Sequence, residues 1–194
     1  DVYPELRGLS TTRTGLNKRK NALKNTITAV MDEYFPEYEE VFKCPLSGKA
    51  SWHILKTCPF PKFILGMGED GVTDEIKRSV KKSVGRKKAV QLVEAAKDSV
   101  GVDYGEEAAR LKLRLMLEEL ELLEKQTEEL ERQMEDTLQQ TDYADFLLSI
   151  KGIGIVTLAA CLGELGDPTR FEDSRQMSRM AGYNLEEDRS GKNK

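Results

Sequence analysis

Residues 106–140 contain neither Gly nor Pro, and within them Leu113, Met116 (or Leu117), Leu120, Leu123, Thr127, Leu130, Met134 and Leu138 recur at alternating steps of three and four. A stripe of that period sustained over almost four heptads, with Glu, Lys and Gln between, specifies one long coiled-coil helix, roughly 50 Å at 1.5 Å per residue. Such a helix must be covered by a partner, either a second copy or an earlier helix of the same chain. No second stripe of that length stands out, which argues against a long antiparallel hairpin and leaves a homodimer or higher oligomer as the expected arrangement.

The rest of the chain is also helical in pattern, so the expected fold class is mainly α. From Thr12 to about Phe35, Leu16, Leu23, Ile27, Val30 and Tyr34 line one helix face, and Pro36 stops it. Residues 36–75 are interrupted by Pro45, Gly48, Pro59, Pro61, Gly66, Gly68 and Gly71, with short helical pieces around Trp52–Lys56 and Phe60–Met67. Thr73 is placed to cap a further helix, and 87–99 makes another with Ala89, Leu92, Val93 and Ala96 inward. Gly101 and Gly105 mark a linker. Three segments result: 1–100, helical; 101–140, linker and coiled coil; and 141–194.

Charge separates these segments. The net charge is -4, yet residues 1–100 hold 18 basic and 13 acidic side chains, 101–140 hold 5 and 12, and 141–194 hold 7 and 9. The acidity therefore belongs to the coiled coil, and the net basic first half is compatible with nucleic acid. Arg13, Lys18, Arg19, Lys20 and Lys24 gather in the first half of the first helix. Lys77, Arg78, Lys81, Lys82, Arg86, Lys87 and Lys88 form the densest patch, seven basic residues in twelve positions without an acid.

Several classes are disfavoured. No apolar run is long enough for a membrane span or a signal peptide, and three widely spaced Cys fit a reducing, cytoplasmic compartment. Cys44, His53 and Cys58 are one ligand short of a structural zinc site and match no finger spacing. The one His, beside Trp52 in a helical piece, reads as a packed or hydrogen-bonded residue and offers no triad, and no Gly-rich phosphate loop of Walker type occurs. The chain begins at Asp1 and ends in the polar stretch Ser190-Gly-Lys-Asn-Lys194, as expected for a fragment of a longer protein.

The chemistry lies after the coiled coil. Phe146, Leu147 and Ile150 end one apolar helix, Gly152-Ile153-Gly154 turn the chain, and a small-residue helix runs from Ile155 to Leu165 before Gly163 and Gly166 close it. This is the h-x-G-h-G pattern of a helix-hairpin-helix. Its glycines permit a sharp turn close to a ligand, and the free amides at the start of the second helix suit a DNA phosphate. Lys151, Gly152, Ile153, Gly154 and Thr157 are the expected DNA contacts.

The stretch from Ser149-Ile-Lys-Gly-Ile-Gly through Leu162-Gly-Glu-Leu-Gly-Asp-Pro-Thr-Arg-Phe171, Arg175-Gln-Met and Ala181-Gly-Tyr to Ser190-Gly-Lys192 resembles the C-terminal transposase domain of the DEDD insertion-sequence transposases. These are relatives of the Piv-type DNA invertases, and some are guided by a bridge RNA. Leu9, Thr12, Arg13, Leu16, Arg19, Lys24-Asn and Phe35-Pro-Glu37 resemble the helix after the acidic motifs of the family's RuvC-like domain. The resemblance implies a transposase or site-specific recombinase that cleaves and rejoins DNA strands in a bacterial or archaeal cell, with DNA as partner and, where the member is of the guided kind, a bridge RNA; which kind this chain is stays open. It implies four metal-binding acids for Mg in the full-length protein, in motifs expected before residue 1, so none is carried over; Asp32 and Glu33 lack the strand context of such a site and read as helix-surface charges. It also implies Ser190 as the nucleophile, with Ser174 and Ser178 nearby. The isolated fragment is then expected to bind but not cleave DNA. The alternative is a non-catalytic coiled-coil dimer whose helix-hairpin-helix binds DNA without sequence preference.

Overall fold

The computed structural model describes residues 1–80, 85–180 and 182. Its elements are α1 (Val2–Tyr34), α2 (Tyr38–Val41), α3 (Lys49–Thr57), α4 (Pro61–Ser79), α5 (Gly85–Lys97), α6 (Glu106–Leu138), α7 (Ala144–Leu148), α8 (Ile155–Leu165), a 3₁₀ turn (Pro168–Arg170) and α9 (Ser174–Met180). No strand occurs among the described residues, so the fold is mainly α. The chain forms two compact units, one of Asp1–Leu16 with Thr127–Lys194 and one of Asn17–Gln126.

In the unit of residues 17–126, the second half of α1 and the first part of α6 share one hydrophobic cluster. Ile27, Val30 and Met31 enter it with Leu113, Met116, Leu117 and Leu120. The two helices run antiparallel: a Cβ at Gly105, just before α6, would lie 3.4 Å from the Tyr34 hydroxyl at the end of α1. Farther along α6, Arg19 reaches Glu119 (3.5 Å) and Lys24 reaches Glu124 (4.0 Å). Helices α2 to α5 add Tyr38, Ile54, Leu55, Ile64, Val72, Ile76, Leu92 and Val93, all buried. Each such apolar side chain contributes about 1.5–3 kcal/mol relative to exposure. The Tyr38 hydroxyl stays satisfied inside the cluster, donating to the Ser51 carbonyl (2.9 Å) and accepting from Ser51 Oγ (3.0 Å); burial pushes its pKa up.

In the other unit, Leu6 of α1 lies in a second cluster with Met134 and Leu138 of α6 and Ala144, Leu158, Ala159 and Leu162. Arg13 pairs with Glu131 and Tyr3 with Tyr143, again an antiparallel order.

The α6 stripe is thus covered by α1, which corrects the expectation that the chain holds no antiparallel partner of that length. A matching stripe does exist: Leu6, Leu9, Arg13, Leu16, Lys20, Leu23, Ile27, Val30 and Tyr34 follow the same alternating three-and-four step. Two basic residues disguise it, and α1 begins ten residues before Thr12. Pro4 is tolerated because it stands in the first turn, where its missing N–H would have no helical partner.

Two smaller corrections concern Thr73 and Gly163. The break within α4 falls at Gly68, with φ 66°, and Thr73 is no cap: it is buried inside α4 and donates its hydroxyl back to the Glu69 carbonyl at 2.6 Å. Gly163 does not end α8 but lies within it, and Gly166, with φ 72°, closes it. The linker residue Gly101 is docked, since a Cβ there would stand 2.3 Å from the Tyr34 carbonyl oxygen. Beside it, Glu37 accepts from Ser99 Oγ (2.6 Å) and the Val100 amide (2.9 Å).

Candidate nucleic-acid interface

The hairpin is set by local chain chemistry. Helix α7 is anchored by Ala144, 1% exposed, and by Leu147 and Leu148 against the second cluster. Ser149 ends it, its hydroxyl donating to the Phe146 carbonyl at 2.6 Å. The Ile153 amide then donates to the Ile150 carbonyl at 3.0 Å, closing a four-residue turn. Gly152 occupies its third position with φ 96°, a left-handed conformation that a side chain resists.

Gly154 follows in extended conformation as the N-cap of α8, offering no side chain to cap it. The first α-helical bond at this end runs from the Leu158 amide to the Gly154 carbonyl, at 2.9 Å. The amides of Ile155, Val156 and Thr157 have no partner within the helix, and the positive end of its dipole lies there. A Cβ at Gly152 or Gly154 would meet nothing within 4 Å. Lys151 and Thr157 are exposed and Ile153 is half-buried. The turn therefore presents open backbone and free amides, with one exposed cation next to Gly152 in the chain.

Packing to α1 holds this surface. Gly163 lets α8 approach so closely that a Cβ there would lie 2.7 Å from the Arg7 backbone nitrogen. Beside it, Arg7 pairs with Glu164 at 3.3 Å. At the other end of the hairpin the Tyr143 hydroxyl is hydrogen-bonded to that of Tyr3, and burial together with that neighbour pushes the Tyr143 phenol up, so it remains protonated. Asp167 accepts from the Thr169 hydroxyl (2.7 Å) and amide (2.9 Å), which hold its carboxyl below the usual range. This tyrosine pair escaped the sequence reading because its members are separated by almost the whole chain.

The other expected contacts are dispersed. Lys77 pairs with Asp74 (3.9 Å) and Arg78 with Glu75. Lys88 donates to the Val41 carbonyl and stands over the Phe42 ring. Arg86 and Lys87 are exposed at the start of α5, and Lys81 and Lys82 lie outside the described residues. Ser190 also lies outside them, whereas Ser174 and Ser178 are exposed on α9.

Nor do the potential zinc ligands converge. Cys44 is exposed, Cys58 is buried with its thiol pushed up by desolvation, and His53 Nε2 bonds Glu75 Oε2 at 2.6 Å. Among the described residues no group of three or more His, Cys, Asp or Glu is placed to hold a metal. Asp32 and Glu33 are exposed on α1. Neither residue belongs to a cluster of acids among the described residues that could hold a divalent ion. No helix among them is long and apolar enough to cross a membrane.

Fold and site together define an all-helical protein with an exposed, glycine-turned helical hairpin. Residues 144–194, which include the whole hairpin, match the family model described as Transposase IS116/IS110/IS902 family. No curated protein and no solved structure matches the chain.

Proposed function

We propose that the chain is a DNA-binding part of a transposase, and that the hairpin of α7 and α8 holds the DNA backbone as a helix-hairpin-helix. The observation that carries this reading is the uncapped start of α8 beside Gly152 and Gly154. Three free amides and the Lys151 ammonium can accept a phosphate there, with no Cβ in the way. The match of the same residues to a transposase family supports DNA as the partner.

In a transposase this segment would serve strand cleavage and rejoining. Ser190 is the proposed nucleophile: its hydroxyl oxygen attacks the phosphorus of a phosphodiester, a sugar oxygen leaves with a proton, and the DNA end stays bound as a seryl phosphodiester until the reverse attack reseals it. A covalent adduct trapped with the intact protein and absent in Ser190→Ala supports this role, and an adduct that survives removes it. Arg86 and Lys87 are proposed as further nucleic-acid contacts, to DNA or to a guide RNA.

The hairpin is tested by fluorescence anisotropy with a labelled duplex over a salt series. Gly152→Val combined with Gly154→Val should weaken binding by about tenfold or more, and Lys151→Ala should reduce the salt slope by about 1. Unchanged affinity in the glycine double variant removes the hairpin from the interface.

A further inference from the structure

The hairpin presents an apolar feature for which a phosphate has no use. Phe146 is 71% exposed and Ile150 43% exposed. They stand four residues apart in the segment that leads into the turn, with Lys151 and Gly152 following directly. Their neighbours Leu147 and Leu148 turn into the second cluster instead. The ring is carried on an ordered backbone: the Ser149 hydroxyl bonds its carbonyl, and the Ser149 amide bonds the Asp145 carbonyl at 3.1 Å.

The charges around the ring narrow what can cover it. Asp145 precedes it, exposed and accepting from Gln139 Nε2 at 3.3 Å, and Lys151 lies beyond it. A phosphate is repelled on the first side and attracted on the second, so the ring itself suits a flat, neutral group attached to a chain of phosphates. Two side chains are also far too small an area for a stable protein interface, which draws on roughly 20–30 residues a side. Stacking of one nucleobase requires only one ring.

We infer that Phe146, supported by Ile150, stacks on an unpaired base of the DNA strand whose backbone the hairpin holds, so that the preferred substrate is DNA carrying unpaired nucleotides. This rests on the phosphate-binding reading of the hairpin. In an intact duplex the bases are already stacked on one another and must be unstacked at an energetic cost before the ring reaches one, whereas an unpaired base is free to stack on it.

The test uses the full chain, a short duplex, and the same duplex with one unpaired 2-aminopurine. The bulged duplex should bind about tenfold more tightly than the intact one, with 2-aminopurine fluorescence falling on binding. Phe146→Ala should lose both effects while binding the intact duplex like the wild type, and Phe146→Trp should retain them. The exposed position makes the folded state tolerant of either change, which circular dichroism verifies. Equal affinity of the wild type for the two duplexes overturns the proposal, as does a Phe146→Ala variant that keeps the preference. A shift in sedimentation of Phe146→Ala alone, with DNA preference unchanged, assigns the ring to a second copy and likewise overturns it. Failure of the hairpin itself shows in a separate arm, where the Gly152→Val, Gly154→Val protein binds intact duplex as tightly as the wild type.

Discussion

Arg13 of α1 holds one carboxylate oxygen of Glu131 on α6 with two nitrogens, Nη2 at 2.6 Å and Nε at 2.7 Å. Arg13 stands at a seam position of α1, between Leu9 and Leu16, so its stem continues the apolar stripe while its head is neutralised by the facing helix. The opposite charges of the chain's basic first half and acidic coiled coil thus meet between α1 and α6, at this half-buried pair and at the surface pairs Arg19–Glu119 and Lys24–Glu124. Arg13 is thereby turned toward α6, whereas Arg19 remains largely and Lys24 partly exposed.

The Arg13–Glu131 pair should give a measurable coupling. Its side chains are 23% and 38% exposed, which places it near the upper end of surface pairs. A double-mutant cycle with Arg13→Ala and Glu131→Ala in urea unfolding should return about 0.5–1 kcal/mol, declining as salt rises. A coupling of zero at low salt means that the pair contributes only through the packing of the Arg stem.

Gly15 and Gly163 should respond to alanine with opposite sign. Gly15 lies inside α1 with nothing within 4 Å of a built Cβ. Its replacement by Ala stabilises by about 0.5–1 kcal/mol through the lower entropy of the unfolded chain, read as a raised thermal midpoint.

At Gly163 the added Cβ meets the Arg7 backbone nitrogen at 2.7 Å and Cα at 2.8 Å. Backbone atoms cannot step aside as a flexible side chain can. Gly163→Ala should therefore cost about 1–3 kcal/mol, and a melting temperature equal to wild type would mean that α8 is not seated on α1 at this point.

Glu121 supplies an optical pH test. The Lys56 ammonium (2.6 Å) holds its carboxyl below the usual carboxylate range against an opposing desolvation, and the indole N–H of Trp52, the chain's one Trp, adds a bond at 2.8 Å. A carboxyl whose folded pKa is depressed contributes stability above its unfolded pKa and loses it as pH falls through the folded one. Trp52 emission should accordingly stay constant through the ordinary carboxylate range and change only below it. Glu121→Gln should abolish that acid transition, and a transition unaltered by the substitution assigns it to another group.

Local features were legible in the sequence because their causes are local. The Gly- and Pro-free heptad run specified α6 from Glu106 onward, and the apolar period specified the inward face of α5, Ala89, Leu92, Val93 and Ala96. Gly152 and Gly154 located the turn before α8, whose bounds at Ile155 and Leu165 follow from its composition. The helix partnership was decided only in three dimensions. A search for an uninterrupted apolar stripe passes over α1, since Arg13 and Lys20 occupy seam positions, and what makes Arg13 acceptable there is Glu131, 118 residues away. The same holds for the hairpin: Phe146, Leu147 and Leu148 are consecutive apolar residues, and nothing in their order says which faces water. That choice is made by the cluster around Leu6, Met134 and Leu158, which admits Leu147 and Leu148 and leaves Phe146 outside. Turns and helix periods depend on a few neighbouring residues, whereas pairing and exposure depend on the summed complementarity of segments far apart in the chain.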